Sequence, residues 1–198
     1  MTFLLLADGN LAGHPATQTS LSKSLVSSKV NVRSSLMAVK LGPGGTRGFV
    51  MPRAARPLAK AGMGLSHLVY RILGDRMKVQ GQPLLQLTTV GARSGEKRHA
   101  VLARFEDSNG PGSWLIVGSN AGAARHPSWC HNLVKNPGQA WVTIGQQEVK
   151  VYPESLEGDE REAAWRRIVS LAPGYGKYEQ TTDRLIPLIR LTPVGDPA

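Results

Sequence analysis

With 198 residues and 41% hydrophobic side chains, the chain is long enough for one real core and too apolar for a disordered protein. The net charge of +10 is lopsided, 15 Lys/Arg against 3 Asp/Glu in residues 1–104 and 9 against 11 in residues 105–198, so an anionic ligand, an anionic membrane surface or nucleic acid would each meet the first half. Cys130 is the only cysteine, which excludes an intrachain disulfide and points to a reducing compartment, and no apolar run reaches the roughly 18 residues of a membrane span.

Residues 1–50 are rich in Ser, Gly and Thr, and Gly42-Pro43-Gly44-Gly45 breaks any element. The segment is expected to be disordered, with the folded domain over 51–195. Met37 and Met51 could equally be the start codon. The apolar piece 3–7 is too short for a signal h-region and has no basic residues before it, so a cytoplasmic location is expected.

The spacing of Leu58, Ala61, Leu65, Leu68, Val69 and Ile72 predicts a helix over 57–73. Pro57 suits its first turn and Gly74 its end. Arg53, Arg56, Lys60 and Arg71 make it basic. It reads as a helix packed on the core with its cations in water; the alternative lays it on the inner face of the cell membrane.

Strands are predicted over 84–90, 98–106, 113–119, 139–144, 148–152 and 186–191. Helices are predicted over 127–135 and 159–172, and a short helix plus loop over 175–184. Acidic residues open the 159–172 helix, matching its dipole. About six strands, interrupted by helices without regular βαβ alternation, give an α+β fold: a closed or split β-barrel of mainly antiparallel strands with helices outside.

Candidate chemistry concentrates at the first hairpin. Arg93, Lys97 and Arg98 cluster at one end of it, with Ser94 and Gly95 between them. Such donors can hold a phosphate or carboxylate, although the pattern alone favours a solvated hairpin tip. It is not a P-loop, because the Gly-Lys-Ser/Thr ending and the following helix are missing. His14, His67, His99, His126 and His131 show no zinc spacing with Cys130 or a carboxylate, so no metal site is expected. Cys130 reads as a small buried apolar residue. Tyr175 and Tyr178 share one helical face, where their rings could cap the barrel or their phenols could donate into a pocket.

Three blocks carry a family resemblance. They are Leu87-Thr88-Thr89-Val90-Gly91-Ala92-Arg93-Ser94-Gly95-Glu96-Lys97-Arg98; Val117-Gly118-Ser119-Asn120-Ala121-Gly122-Ala123 with His126-Pro127-Ser128-Trp129-Cys130-His131-Asn132-Leu133; and Pro173-Gly174-Tyr175-Gly176-Lys177-Tyr178-Glu179-Gln180-Thr181-Thr182-Asp183-Arg184-Leu185-Ile186-Pro187. In order and spacing they resemble the deazaflavin-dependent nitroreductase family, over roughly residues 55–193. The resemblance implies a split β-barrel of the FMN-binding type and coenzyme F420, with FMN as the alternative cofactor. It implies that Arg93, Ser94 and Arg98, with His99 and Ala100 beside them, grip the phosphate side. It implies that Val117, Gly118, Ser119 and Asn120, with Ser128, Trp129, Cys130, His131 and Asn132, line the deazaflavin ring. It places Tyr175, and with it Tyr178, on the substrate side as the catalytic pair. The family often carries a cation at Ala92, Lys at Asn120, and Tyr at Cys130 and Ala172, which implies an altered, wider substrate pocket here.

The expected function is hydride transfer from reduced F420 to an electron-poor acceptor: a quinone, an activated alkene or a nitro compound. A non-catalytic protein that stores or senses F420, and an FMN enzyme on the same barrel, are the alternatives. Few aromatics and no recognition motif argue against a nucleic-acid partner. A monomer or homodimer is expected.

Overall fold

The computed structural model describes residues 38–55, 57, 68–70 and 72–195. Eight strands form one antiparallel sheet among them: β1 (Lys78–Val79), β2 (Gln82–Val90), β3 (Lys97–Ala103), β4 (Phe105–Glu106), β5 (Trp114–Val117), β6 (Ala140–Ile144), β7 (Gln147–Ser155) and β8 (Leu188–Pro193). Three helices accompany them: α1 (Ser128–Lys135), α2 (Gly158–Leu171) and α3 (Gly174–Thr181). The helix expected over 57–73 is helical at 57, 68–70 and 72–73; its remaining residues, Lys60 and Arg71 included, lie outside the described residues. No described helix is long and apolar enough to cross a membrane.

β2 is the hub. One edge pairs with β3, from Leu84↔Ala103 to Val90↔Lys97; the other pairs with β6, from Gln86↔Thr143 to Thr89↔Ala140. The sheet continues β6-β7-β8-β5-β4. β3 lies alongside β5 without pairing to it. The sheet therefore curls into a split barrel, open where β3 meets β5.

Alternation along the strands sends side chains to two cores. Leu84, Leu115, Val117 and Leu188 pack with Trp165, Ile168, Ala172 and Tyr175 of α2 and α3. Leu85, Leu87, Ile116, Ile189 and Leu191 pack with Trp129, Cys130 and Leu133 of α1 and with Val142 and Val151. With both faces covered, β2 is buried from Leu84 through Thr89. Each Leu or Ile so enclosed contributes about 1.5–3 kcal/mol.

Several boundaries differ from the sequence pattern. β1 and the start of β2 form a hairpin through Gln80 (φ 51°) and Gly81 (φ 78°). Two left-handed central residues make a hairpin turn usually marked by Asn-Gly, and Gln hides that mark. The single strand expected over 98–106 is broken at Arg104, whose N–H donates to Pro83 O (2.9 Å). β7 runs on through Pro153 to Ser155, beyond the expected end at 152, because Val151–Ser155 pairs with β8.

The larger correction concerns residues 38–50, expected to be disordered and outside the domain. They form an extended strap on the barrel. Val39 is buried in the core beside Trp129 and Leu87. Lys40 exchanges backbone bonds with the Ser155 hydroxyl (2.9 and 3.1 Å). Gly45 N–H donates to Ala124 O (2.8 Å) and Phe49 N–H to Gly122 O (2.9 Å). Asp183 accepts from the Thr46 hydroxyl and N–H and from the Arg47 N–H (2.5, 3.1 and 3.0 Å). These bonds hold the Asp183 carboxyl down to about 2. Gly48 passes so close to Ala124 that a Cβ would sit 2.2 Å from its nitrogen. Composition favours disorder, but backbone bonds need no apolar side chains, so a Gly-rich segment can still be fastened.

A buried ion cluster closes the other end of β8. The Arg190 guanidinium binds Asp107, Glu154 (2.7 Å) and Glu160 (2.5 Å). Burial raises the Asp107 pKa, but bonds from Arg190, the Asn109 N–H and Ser113 outweigh it and hold the carboxyl below its ordinary value.

Two outcomes follow. A chain begun at Met51, stripped of Val39 and the strap bonds, should unfold well below one begun at Met37 by calorimetry. Arg190→Ala leaves the buried Asp107 carboxylate without its cation and should cost up to about 3 kcal/mol in denaturant unfolding. Because the folded pKa of Asp107 is depressed, its contribution is present above about pH 3.9 and lost as pH falls through the lower folded value; the variant should lack that acid limb.

Candidate functional site

The β2–β3 hairpin ends in a six-residue loop closed by Gly91 N–H to Glu96 O (2.8 Å) and Gly95 N–H to Gly91 O (2.9 Å). Gly95 takes φ 69°, which a Cβ would disfavour. Beyond this turn Arg93, Ser94, Arg98 and His99 are exposed, and Ala100 is half-buried behind them. Arg98 donates to Glu96 (2.7 Å) and to the Ser94 hydroxyl (3.4 Å). Arg93 makes no hydrogen bond or ion pair among the described residues. Lys97 turns aside, its ammonium 5.0 Å from the centre of the Trp141 ring. The tip therefore offers two guanidiniums and a hydroxyl to an anion, one guanidinium being shared with an acid.

α1 is tied to this hairpin by a buried amide. Asn132 Oδ1 accepts from Ala92 N–H (2.9 Å) while Nδ2 donates to Thr89 Oγ1 (3.0 Å). Asn136 Nδ2 adds a bond to Val90 O (3.1 Å). The loop thus cannot move independently of the helix. Ser128 and His131 are exposed on α1, while Trp129 and Cys130 face the core. Cys130 is fully enclosed, with its sulfur against Gly118, and burial pushes its thiol pKa strongly up. Its side chain supports the strand end from behind.

At the end of β5 the chain makes an unusual turn. Gly118 N–H still pairs with Pro187 O (2.9 Å). Then Asn120, Ala121 and Gly122 take φ 47°, 52° and 74° in succession. Left-handed non-glycine residues cost about 1–3 kcal/mol each and need surroundings that impose them. Here the surroundings are the strap on one side and Arg184 on the other. Arg184 is only 5% exposed. Its Nε donates to Ala123 O (2.8 Å), and its Nη2 to Gly118 O (3.0 Å) and Ser119 O (2.7 Å). Its Nη1 meets His126 Nδ1 at 3.3 Å. A guanidinium can only donate, so Nδ1 accepts and the His126 proton sits on Nε2, which donates to Gly42 O (3.0 Å). Burial, then repulsion from Arg184 and His131, lowers the His126 pKa against the opposing pull of Gly42. The imidazole is therefore neutral at pH 7.

Tyr175 and Tyr178 project from α3. Ala172 and Pro173 separate α3 from α2, and Gly174 opens α3. Tyr175 is 8% exposed, edge-on to Phe105 and to Tyr178, both with ring centres 5.7 Å away. Its hydroxyl has no hydrogen-bond partner among the described residues. Burial, then Tyr178, pushes its pKa up to about 12, so it is a protonated donor at physiological pH. Tyr178 is half-buried, and its carbonyl lies against Gly122, which brings α3 to the turn after β5.

The structure thus joins the hairpin to α1, α1 to the end of β5, and that end to α3. It does not put all the expected residues on one surface: Tyr175 belongs to the core with Val117, Trp129 and Cys130 to the core with Ile116. Arg184 and His126, which pattern reasoning passed over, emerge as the residues that hold the turn after β5. The one available signal was an arginine beside Leu185-Ile186-Pro187 with no acid on its apolar side. Among the described residues no group of three or more His, Cys, Asp or Glu could hold a metal.

The donor set suits a coenzyme with an anionic tail and a flat polar head. The Mycobacterium tuberculosis protein Rv3178, which bears the name of an F420H(2)-dependent quinone reductase, is 32% identical over 111 residues, 56% of this chain and 90% of the relative. A solved F420-H2 dependent reductase, FDR-A, is 38% identical with TM-score 0.49, over 55% of this chain and 93% of that one. A structure described as a domain-swapped dimer is 33% identical with TM-score 0.50, over 68% of this chain and 98% of that one. The F420H(2)-dependent quinone reductase family model matches residues 69–193, from the end of the first helix through β8. The chain belongs to the F420H(2)-dependent quinone reductase family, and its cofactor is coenzyme F420.

Proposed function

We propose that this protein transfers a hydride from reduced F420 to a small electron-poor acceptor, a quinone first, with activated alkenes and nitro compounds in the same chemical class. The observation that carries the reading is the exposed Arg93–Ser94–Arg98 donor set on a hairpin locked to α1 through Asn132. An anionic phosphate and carboxylate tail needs such donors, and their rigid support limits the ordering cost on binding. The bound deazaflavin supplies the hydride; the chain's own residues position, shield and protonate.

In this reading Arg93, Arg98 and Ser94 hold the tail, with His99 and Ala100 flanking. Ser119 and Asn120, with the exposed edge of α1 at Ser128 and His131, border the ring. Tyr175 has a free donor at a low-dielectric site. Negative charge developing on an acceptor oxygen would be stabilised there by a phenol that keeps its proton to about pH 12. Tyr178 closes the same side by its ring. Mixing reduced F420 with the protein and menadione, and following the coenzyme's absorbance, tests the reaction; no acceleration over the protein-free rate rejects it.

Arg98→Ala should weaken F420 binding about tenfold or more, the loss of a charge-assisted bond of about 1.5–3 kcal/mol. Because Glu96 competes for the same guanidinium, Glu96→Gln should tighten binding, most at low salt. Fluorescence titration reads both. Tyr175→Phe should lower turnover of menadione by up to about 10²-fold at saturating reduced F420, with F420 affinity kept. Wild-type turnover in that variant would leave Tyr175 as a packing residue only.

A further inference from the structure

Arg184 is a buried cation with no carboxylate partner among the described residues. Its four acceptors are three backbone carbonyls and a neutral imidazole. Desolvating a charge without an opposite charge is costly, so the arrangement needs a reason beyond filling space. Arg190, in the same fold, is neutralised by three acids.

Peptide planarity supplies a reason. A trans peptide points its C=O and N–H in opposite directions. Nη2 draws the Gly118 and Ser119 carbonyls toward the guanidinium. The N–H groups of Ser119 and Asn120, on the far sides of those two peptide planes, must then point away from it. Neither has a hydrogen-bond partner among the described residues. Ser119 is half-buried and Asn120 exposed, so the turn that carries both donors reaches the surface. The left-handed run at Asn120–Gly122 is what allows the chain to turn while both carbonyls face the same cation. The third carbonyl, Ala123 O, fixes the far side of the turn.

We propose that Arg184 is a positioning residue: by holding the two carbonyls at the end of β5 it aims the Ser119 and Asn120 N–H groups at the polar, carbonyl-bearing edge of the deazaflavin ring. This rests on the coenzyme site assigned above and goes beyond it, because Arg184 itself touches neither ring nor tail. Its positive field behind the turn also favours electron density on the ring edge that those N–H groups meet.

The test compares Arg184→Lys with wild type in three measurements: hydrogen exchange of 118–126 in the coenzyme-free protein, and fluorescence titration with whole F420 and with the deazaflavin headgroup lacking phosphate and tail. An ammonium keeps the charge but cannot span carbonyls on both sides of the turn. Exchange at 118–126 should quicken, and headgroup affinity should fall about tenfold. Arg98→Ala, by contrast, should weaken whole F420 and leave the headgroup untouched, which no general loss of stability would reproduce. Unchanged headgroup affinity in Arg184→Lys overturns the proposal whatever the exchange does. Wild-type protein that binds neither probe overturns the coenzyme reading and the proposal with it. If Arg184→Lys does not fold, His126→Ala, which removes one of the four acceptors, carries the test: exchange must quicken and headgroup affinity fall, and unchanged affinity overturns the proposal.

Discussion

Everything in this domain hangs from β2, a strand paired on both edges and covered on both faces. A strand so placed cannot slip by one residue without exchanging its two cores. Leu84 would leave the α2–α3 side, and Leu85 and Leu87 the α1 side. That fixed register carries outward to its tip, where Thr89 and Ala92 bond Asn132. The cationic loop is therefore tied to the barrel, although every cation on it is in water.

Two arginines of the last third of the chain, Arg184 buried and Arg190 half-buried, solve the desolvation problem in opposite ways. Arg190 is over-neutralised by three carboxylates and serves to pin β8 to β7, α2 and the turn before β5. Arg184 keeps its charge and makes four hydrogen bonds, three to backbone carbonyls and one to an imidazole. The first arrangement builds stability from charge pairing; the second shapes a backbone turn and leaves a positive field at the site. Both residues lie within one short stretch, 184–190, and nothing in their sequence neighbours tells them apart.

The strap over 38–50 extends the same logic. Its burial in the apolar core is confined to Val39 and the half-buried Leu41, yet it satisfies backbone groups of the turn after β5 and the Asp183 carboxylate. Asp183 faces the strap while its neighbour Arg184 faces the turn, so adjacent residues hold the loop from two sides. A strained, left-handed loop persists only under such double restraint.

The strands and helices were located because their signals are local: short β-rich apolar runs at β2 and β5, an acidic first turn at the start of α2, and Pro173-Gly174 where α2 gives way to α3. The hairpin cations were legible for the same reason, being five residues apart at most, and the three-block pattern led to the family. The chain by itself did not determine the strap, since composition reports side chains and the strap is held by backbone. Nor did it determine that Cys130 and Trp129 turn inward while Ser128 and His131 turn out, which depends on where α1 meets the sheet. Arg184 and His126 stand 58 residues apart, and Arg184 and Gly118 stand 66 apart; only the folded barrel makes them neighbours. A carbonyl carries no sequence signature, so an arginine whose partners are carbonyls becomes visible only when the tertiary structure turns those peptide planes toward it.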